Sequence, residues 1–188
     1  MEDGTSEHLE HRDHAEHAAH SGDPLLLKVS ATIAALAVVA ATIGSLESVE
    51  SGTAISQKSE SVLLQDRATD RWAFFQAQSI KKNMYDIAKA ANPARADAYE
   101  AKARGYEKDS EATRREAEEL GHESEALLTQ GERHEKRHHV LTAGVTLLHV
   151  AIAVATLSII LRGRRWPWYS ALVLGAAGCA VAAFAYAA

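Results

Sequence analysis

Leu25 to Leu46 reads LLLKVSATIAALAVVAATIGSL, a run of 22 residues in which Lys28 carries the only charge. At 1.5 Å per residue a helix of this length covers the ~30 Å hydrocarbon core of a bilayer. Two further stretches share its character: Val140 to Leu161 and Trp166 to Ala188 contain no acid, lysine or arginine. Three such runs in 188 residues predict a multi-pass membrane protein, although a mean hydropathy of −0.18 would suit a soluble domain. The average misleads because the charge is confined to two other regions, an acidic tail and a long polar middle.

The residues before Pro24 hold seven acids against one base, Arg12. A cleaved secretory signal begins with a basic flank, so the first apolar run reads as a retained helix. Pro24 suits its first turn, and Lys28, one turn in, can snorkel to the headgroups. The expected order is a tail (1–24), a first membrane helix (25–46), a polar stalk (47–139), a second membrane helix (140–161), a basic and aromatic turn (162–168) and a third membrane helix (169–188).

The stalk is rich in helix formers and contains one proline, Pro93, preceded by Asn92. Asn92 can cap, Pro93 fits a first helical position, and the residue before proline is pushed away from helical angles. The break is central, with 46 residues from Glu47 to Asn92 and 46 from Ala94 to His139. Equal arms that leave and re-enter the membrane side by side predict an antiparallel hairpin, ~70 Å long if fully helical.

Heptad spacing supports that expectation. In the outgoing arm Ala73, Ala77, Ile80, Met84, Ile87 and Ala91 alternate in steps of four and three. In the returning arm Tyr99, Ala103, Tyr106, Ser110, Thr113, Ala117, Leu120, Ser124, Leu127, Gly131, His134, His138 and Leu141 do the same. These are read as the two halves of one coiled-coil seam, with opposing residue numbers summing to about 186 and Ile80 facing Tyr106. The fold class is therefore all-α: three transmembrane helices, with a long coiled-coil-like hairpin between the first and second.

Apolar side chains outside the membrane runs concentrate at Val62, Leu63 and Leu64 and at Trp72, Phe74 and Phe75. They wrap more of the helix than one partner can bury, which points to contact with further copies; a local core closed by bending of the two arms is the plainer alternative. Asp66 and Asp70, four apart, are expected to be ion-paired by Arg67, Arg71, Arg114 or Arg115 rather than to form a catalytic carboxylate pair.

The run from Gln65 to Lys82, QDRATDRWAFFQAQSIKK, stands downstream of one membrane helix and upstream of a hairpin that ends in two more. In this it resembles bacterial membrane proteins grouped as domain of unknown function 4337. The likeness covers essentially the whole chain, and its most specific piece is Asp70-Arg71-Trp72 through Lys81-Lys82. It implies a bacterial inner-membrane location and the same topology, and it supplies no activity.

In the tail, His8, His11, His14, His17 and His20 recur every three residues. Neutral imidazoles beside carboxylates suit Zn²⁺ or Ni²⁺ in an open site without thiolates; a solvated spacer, or a tail that gains charge between about pH 5 and 7, is read from the same residues. His149, near the middle of the second membrane run, is expected to bond Thr42 or a backbone carbonyl, since no second intramembrane acid or base stands ready for a proton relay. Ala171, Gly175, Cys179 and Ala183 step by four, as do Ala37, Ala41 and Ser45, and are read as association faces. A lone cysteine excludes a disulfide framework.

Lysine and arginine in the short loops place the tail and the Arg162 to Arg165 turn in the cytoplasm and the stalk outside, against an opposing vote from Arg133, Lys136 and Arg137. The stalk holds 15 bases and 18 acids, which leaves no footprint for nucleic acid. There is no phosphate loop and no nucleophile with a base at a readable spacing. The function expected is a non-catalytic, self-associating scaffold or adaptor in the lipid bilayer, serving a membrane-protein partner of unknown identity. A metal or pH sensor built on the tail is the alternative, and a channel or transporter subunit comes third.

Overall fold

The structure, a computed structural model, describes residues 24–161 and 164–187. The histidine tail and the Arg162-Gly163 step of the turn lie outside the described residues. Helix α1 runs Pro24–Ala91, a single 3₁₀ turn covers Pro93–Arg95, α2 runs Ala96–Ile160 and α3 runs Trp166–Phe184. All three α-helices are long and apolar enough to cross a membrane. Contacts divide the chain into two compact units, Met1–Gly52 with Arg133–Ala188 and Thr53–Glu132, and both α1 and α2 contribute to each.

The first unit packs the apolar runs as three helices. Val29, Ile33 and Ala40 of α1 meet Leu148, Ile152 and Ala155 of α2 and Ala171 of α3. A smaller cluster joins Leu141 to Ala182 and Ala185. Glycine makes one approach possible: a Cβ on Gly178 would stand 2.9 Å from the Gly144 carbonyl oxygen, and one on Gly144 would stand 3.0 Å from that of Gly178. The backbones of α2 and α3 therefore touch, as small residues permit within a membrane. The Trp168 indole N–H donates to the Thr32 hydroxyl at 3.1 Å. Val38, Val150, Leu172 and Val173 stay exposed, which suits surfaces that face hydrocarbon.

Helix α3 begins three residues before the expected boundary at 169, because Pro167 fits a first turn, and its regular part ends at Phe184. Ala185, Tyr186 and Ala187 continue as tight turns, their N–H groups donating three residues back. Its buried face is lined by small residues. Ala171 and Gly175 are buried, but the face then passes to Gly178 and Ala182, leaving Cys179 and Ala183 exposed. A step of four repeated along a helix of 3.6 residues per turn drifts off the contact line, and a step of three restores it. Ala41 and Ser45 are exposed on α1 for the same reason.

The second unit is an antiparallel hairpin. Asn92 takes φ −136° and ψ 82°, extended as a residue before proline should be, but its side chain makes no capping bond. The turn is held instead by the Arg95 N–H donating to the Asn92 carbonyl at 3.1 Å. Ser61 with Ser124, Arg71 with Glu116, Lys82 with Glu107 and Lys89 with Glu100 are paired across the arms, so opposing numbers sum to 185–189. The register expected from the central break is therefore observed.

The seam differs in composition. The returning arm buries Ala103, Ser110, Thr113, Ala117, Ser124 and Gly131, all members of the expected set. The outgoing arm buries Ala54, Ser61, Leu64, Ala68 and Gln78, whereas Ala73, Ala77, Ile80, Met84, Ile87 and Ala91 are exposed. The heptad pattern is real, but it lies on the side of α1 away from α2. Polar pairing holds the true seam. The Ser61 hydroxyl donates to the Ser124 carbonyl at 2.9 Å, the Ser124 hydroxyl donates to the Ser61 carbonyl at 2.8 Å, and the Thr113 hydroxyl donates to Gln78 Oε1 at 3.1 Å. Tyr85, rather than Ile80, meets Tyr106, the rings stacked 5.7 Å apart.

Candidate association faces and interfacial polar cluster

Within the hairpin unit, the outward face of α1 is the main unsatisfied surface. Ile80 is 60%, Met84 64% and Ile87 70% exposed, with Ile55 and Val62 continuing the same stripe toward the start of the unit. At 100° per residue these positions and Ala73, Ala77 and Ala91 fall within about 40° of one line, roughly opposite Ala68 and Phe75. Apolar side chains in steps of four and three, left in water, are half of a coiled coil.

Trp72, Phe74 and Phe75 were expected to join such a surface. Trp72 and Phe75 pack edge to face with centroids 5.6 Å apart. Phe74 is half exposed and lines a groove of about 570 Å³ with Arg67, Asp70, Arg71, Glu116 and Leu120. The arginines do not serve Asp66 or Asp70. Arg71 pairs with Glu116 at 3.0 Å, Arg114 pairs with Glu111 and Glu118, and Arg115 lies 3.6 Å from Glu111. Glutamates one turn away on α2 reach Arg114 and Arg115, and Glu116 reaches Arg71 across the hairpin. Salt bridging holds the carboxyls of Glu100 (by Lys89 and Arg104) and Glu111 (by Arg114) below the usual range, and Glu107 holds the Lys82 ammonium above its own.

Inside the membrane unit His149 is exposed, and it does not bond Thr42, whose hydroxyl donates to the Val38 carbonyl at 2.9 Å. Thr142, Thr146, His149, Ala153, Thr156 and Ile160 follow one another in steps of four and three along the outer side of α2. The threonine hydroxyls are satisfied by carbonyls of their own helix, at 2.9, 2.8 and 2.9 Å for Thr142, Thr146 and Thr156. Gly175 is closed off within the chain, a Cβ there falling 2.6 Å from a Leu36 methyl, while Cys179 remains open.

One polar cluster was not read from the sequence. Glu50 is buried at the end of the first apolar run, with one oxygen 2.5 Å from His134 Nδ1 and the other accepting from the Tyr186 hydroxyl at 3.1 Å. One turn earlier, a Glu47 oxygen lies 2.8 Å from the Thr142 hydroxyl, whose one proton it shares with the His138 carbonyl, and Glu47 stands 3.3 Å from His138 Nδ1 without hydrogen-bond alignment. The Arg137 guanidinium lies 5.5 Å from the centre of the Tyr186 ring. The signal was available: Glu47 and Glu50 share a helix face, and the hairpin register sets them against His138 and His134.

Among the described residues no group of three or more histidine, cysteine or acidic side chains is placed to hold a metal. His8, His11, His14, His17 and His20 lie outside them. The helix order, the central break and the terminal pair of apolar helices now stand together, and residues 25–188 match the family described as Domain of unknown function (DUF4337). The chain belongs to that family. No curated protein and no solved structure matches it. The matched range spans all three membrane-spanning candidates and the hairpin.

Proposed function

We propose that this protein is a non-catalytic membrane scaffold whose copies associate side by side through the outward heptad of α1 and the outward threonine and histidine face of α2. The observation that carries this reading is the exposure of Ile80, Met84 and Ile87 at coiled-coil spacing. Copies inserted in the same sense present identical residues at equal heights, so each stripe meets its own counterpart in parallel. His149 adds to the argument. An imidazole facing hydrocarbon has no water to bond, and the equivalent face of another copy offers both imidazole and small neighbours.

Under this reading the protein resides in a bacterial inner membrane, with the tail and the 162–168 turn in the cytoplasm and Asn92 outside. The test is disulfide trapping in native membranes. Met84→Cys in a Cys179→Ala background should give a covalent dimer on mild oxidation, and Ala68→Cys, on the buried seam, should not. Equal trapping at both positions, or at neither, refutes the proposal. Removing residues 2–22 should leave trapping unchanged; its loss would instead favour a sensor driven by the histidine tail.

A further inference from the structure

We infer that the end of the membrane unit bearing Glu50 holds a specific site for the phosphate headgroup of an anionic lipid. Arg133, Lys136, Arg137 and Val140 of α2 line a cavity of about 550 Å³ with Phe184 and Ala185 from the end of α3. The four α2 residues recur at intervals of three, four and seven, so they occupy one side of the helix. Val140 opens the second apolar run and Phe184 closes α3, which sets the cavity where hydrocarbon gives way to headgroups. The bases stand three to seven residues beyond Val140, ~5–10 Å along the helix axis. The headgroup layer on each side of a bilayer occupies a comparable depth.

One of the three cations is supplied in a held geometry. Arg137 is half-buried and stacked over the Tyr186 ring, and Tyr186 is anchored in turn by its bond to the buried Glu50 carboxylate. That carboxylate is itself engaged by His134. Neither Arg133 nor Lys136 is paired with a carboxylate among the described residues, so both charges are available to a ligand. Three cations above an apolar wall of Val140 and Phe184 match an amphiphile with an anionic head and an acyl chain. A free phosphate would use the cations and leave the apolar wall uncovered, which is why the lipid is the occupant assigned.

The test uses the full-length chain, purified in neutral detergent and stripped of lipid. It is titrated separately with phosphatidylglycerol, with phosphatidylcholine of the same acyl chains, and with inorganic phosphate. Bound lipid is counted by native mass spectrometry, and the thermal midpoint is followed by circular dichroism. Phosphatidylglycerol should bind at least about tenfold more tightly than phosphatidylcholine and raise the midpoint, while inorganic phosphate should not reproduce the rise. At about one tenfold step per 1.4 kcal/mol, and ~1 kcal/mol per basic residue near an anionic surface, Arg133→Gln with Lys136→Gln should weaken phosphatidylglycerol binding about 30-fold. Arg95→Gln with Lys108→Gln, at positions that belong to the hairpin unit and do not line the cavity, should not change it. Should the double variant fail to fold, Lys136→Gln alone, at an exposed position, should give a loss of about fivefold. Equal binding of the two lipids, an unchanged affinity in the folded variants, or an equal response to inorganic phosphate overturns the inference.

Discussion

Replacing Ile80, Met84 and Ile87 together by glutamine separates the two roles open to the α1 heptad, a face between copies or a face in the hairpin's own core. The three side chains are 60%, 64% and 70% exposed in the single chain. Fully burying a side chain of this kind is worth about 1.5–3 kcal/mol, so covering the exposed portion contributes roughly 1–2 kcal/mol each and roughly 3–6 kcal/mol per chain. Because each stripe meets its counterpart, the loss falls on both chains of a pair, and at about 1.4 kcal/mol per decade the dissociation constant should rise by about four orders of magnitude or more. The hairpin itself should barely respond, since exposed substitutions usually change stability by about 0.5 kcal/mol or less. Sedimentation equilibrium in density-matched detergent over a dilution series measures the first quantity, and far-ultraviolet circular dichroism with thermal melting measures the second. An unchanged association curve with full helicity would refute the assignment of this face. A collapse of helicity would mean that the three residues belong to the core after all.

Gly178→Ala should destabilise the membrane unit by about 1–3 kcal/mol, read as a lower thermal midpoint, because its Cβ would meet the Gly144 carbonyl and Leu148 at once. Gly121→Ala, with nothing within 4 Å, should be neutral or stabilising by up to about 1 kcal/mol. Ser61→Cys with Ser124→Cys, in the Cys179→Ala background, should crosslink within one chain, and Ser61→Cys with Ala117→Cys should not; equal yields would mean that the register is not unique. The lowered carboxyls of Glu100 and Glu111 contribute stability above the ordinary glutamate pKa near 4.3 and lose it as pH falls through their depressed values. Hydrogen exchange near Lys89 and Arg104 should therefore accelerate selectively below about pH 4. A cysteine at Asn92 should react with an impermeant reagent in intact cells; protection there would invert the proposed orientation.

The three apolar runs, the central break and the pairing register were all legible, because each depends on length, charge and one proline. The face of α1 that meets α2 was not. Periodicity reports that a helix has a stripe but not which neighbour covers it, and the most apolar stripe was assigned to the nearest one. The returning arm escaped this error because its small and polar positions offer a single continuous line from Ala103 to Gly131. The same bias hid the cluster of Glu47, Glu50, His134, His138 and Tyr186, since His134 and His138 read as seam positions and the two acids facing them were paired with nothing. His149 was read as a core histidine because burial is the usual remedy for an imidazole in hydrocarbon, and exposure to another copy is equally able to supply a partner.

The serine, alanine and glycine seam of the hairpin reverses the ordinary relation between hydropathy and mutational tolerance. Where two helices are held apart by leucines, the large apolar positions are the fragile ones. Here Ser61 and Ser124 exchange hydrogen bonds with each other's backbone, Gly131 sits 3.0 Å from a Lys58 methylene by the Cβ it lacks, and Ala68 and Ala117 are almost wholly enclosed. A saturation scan scored only for folding should accordingly spare the greasiest residues of the outgoing arm and penalise single added methyl groups at its smallest. Scored for assembly, the same scan should exchange the two classes, so that one helix carries two independent sensitivity maps offset by half a turn.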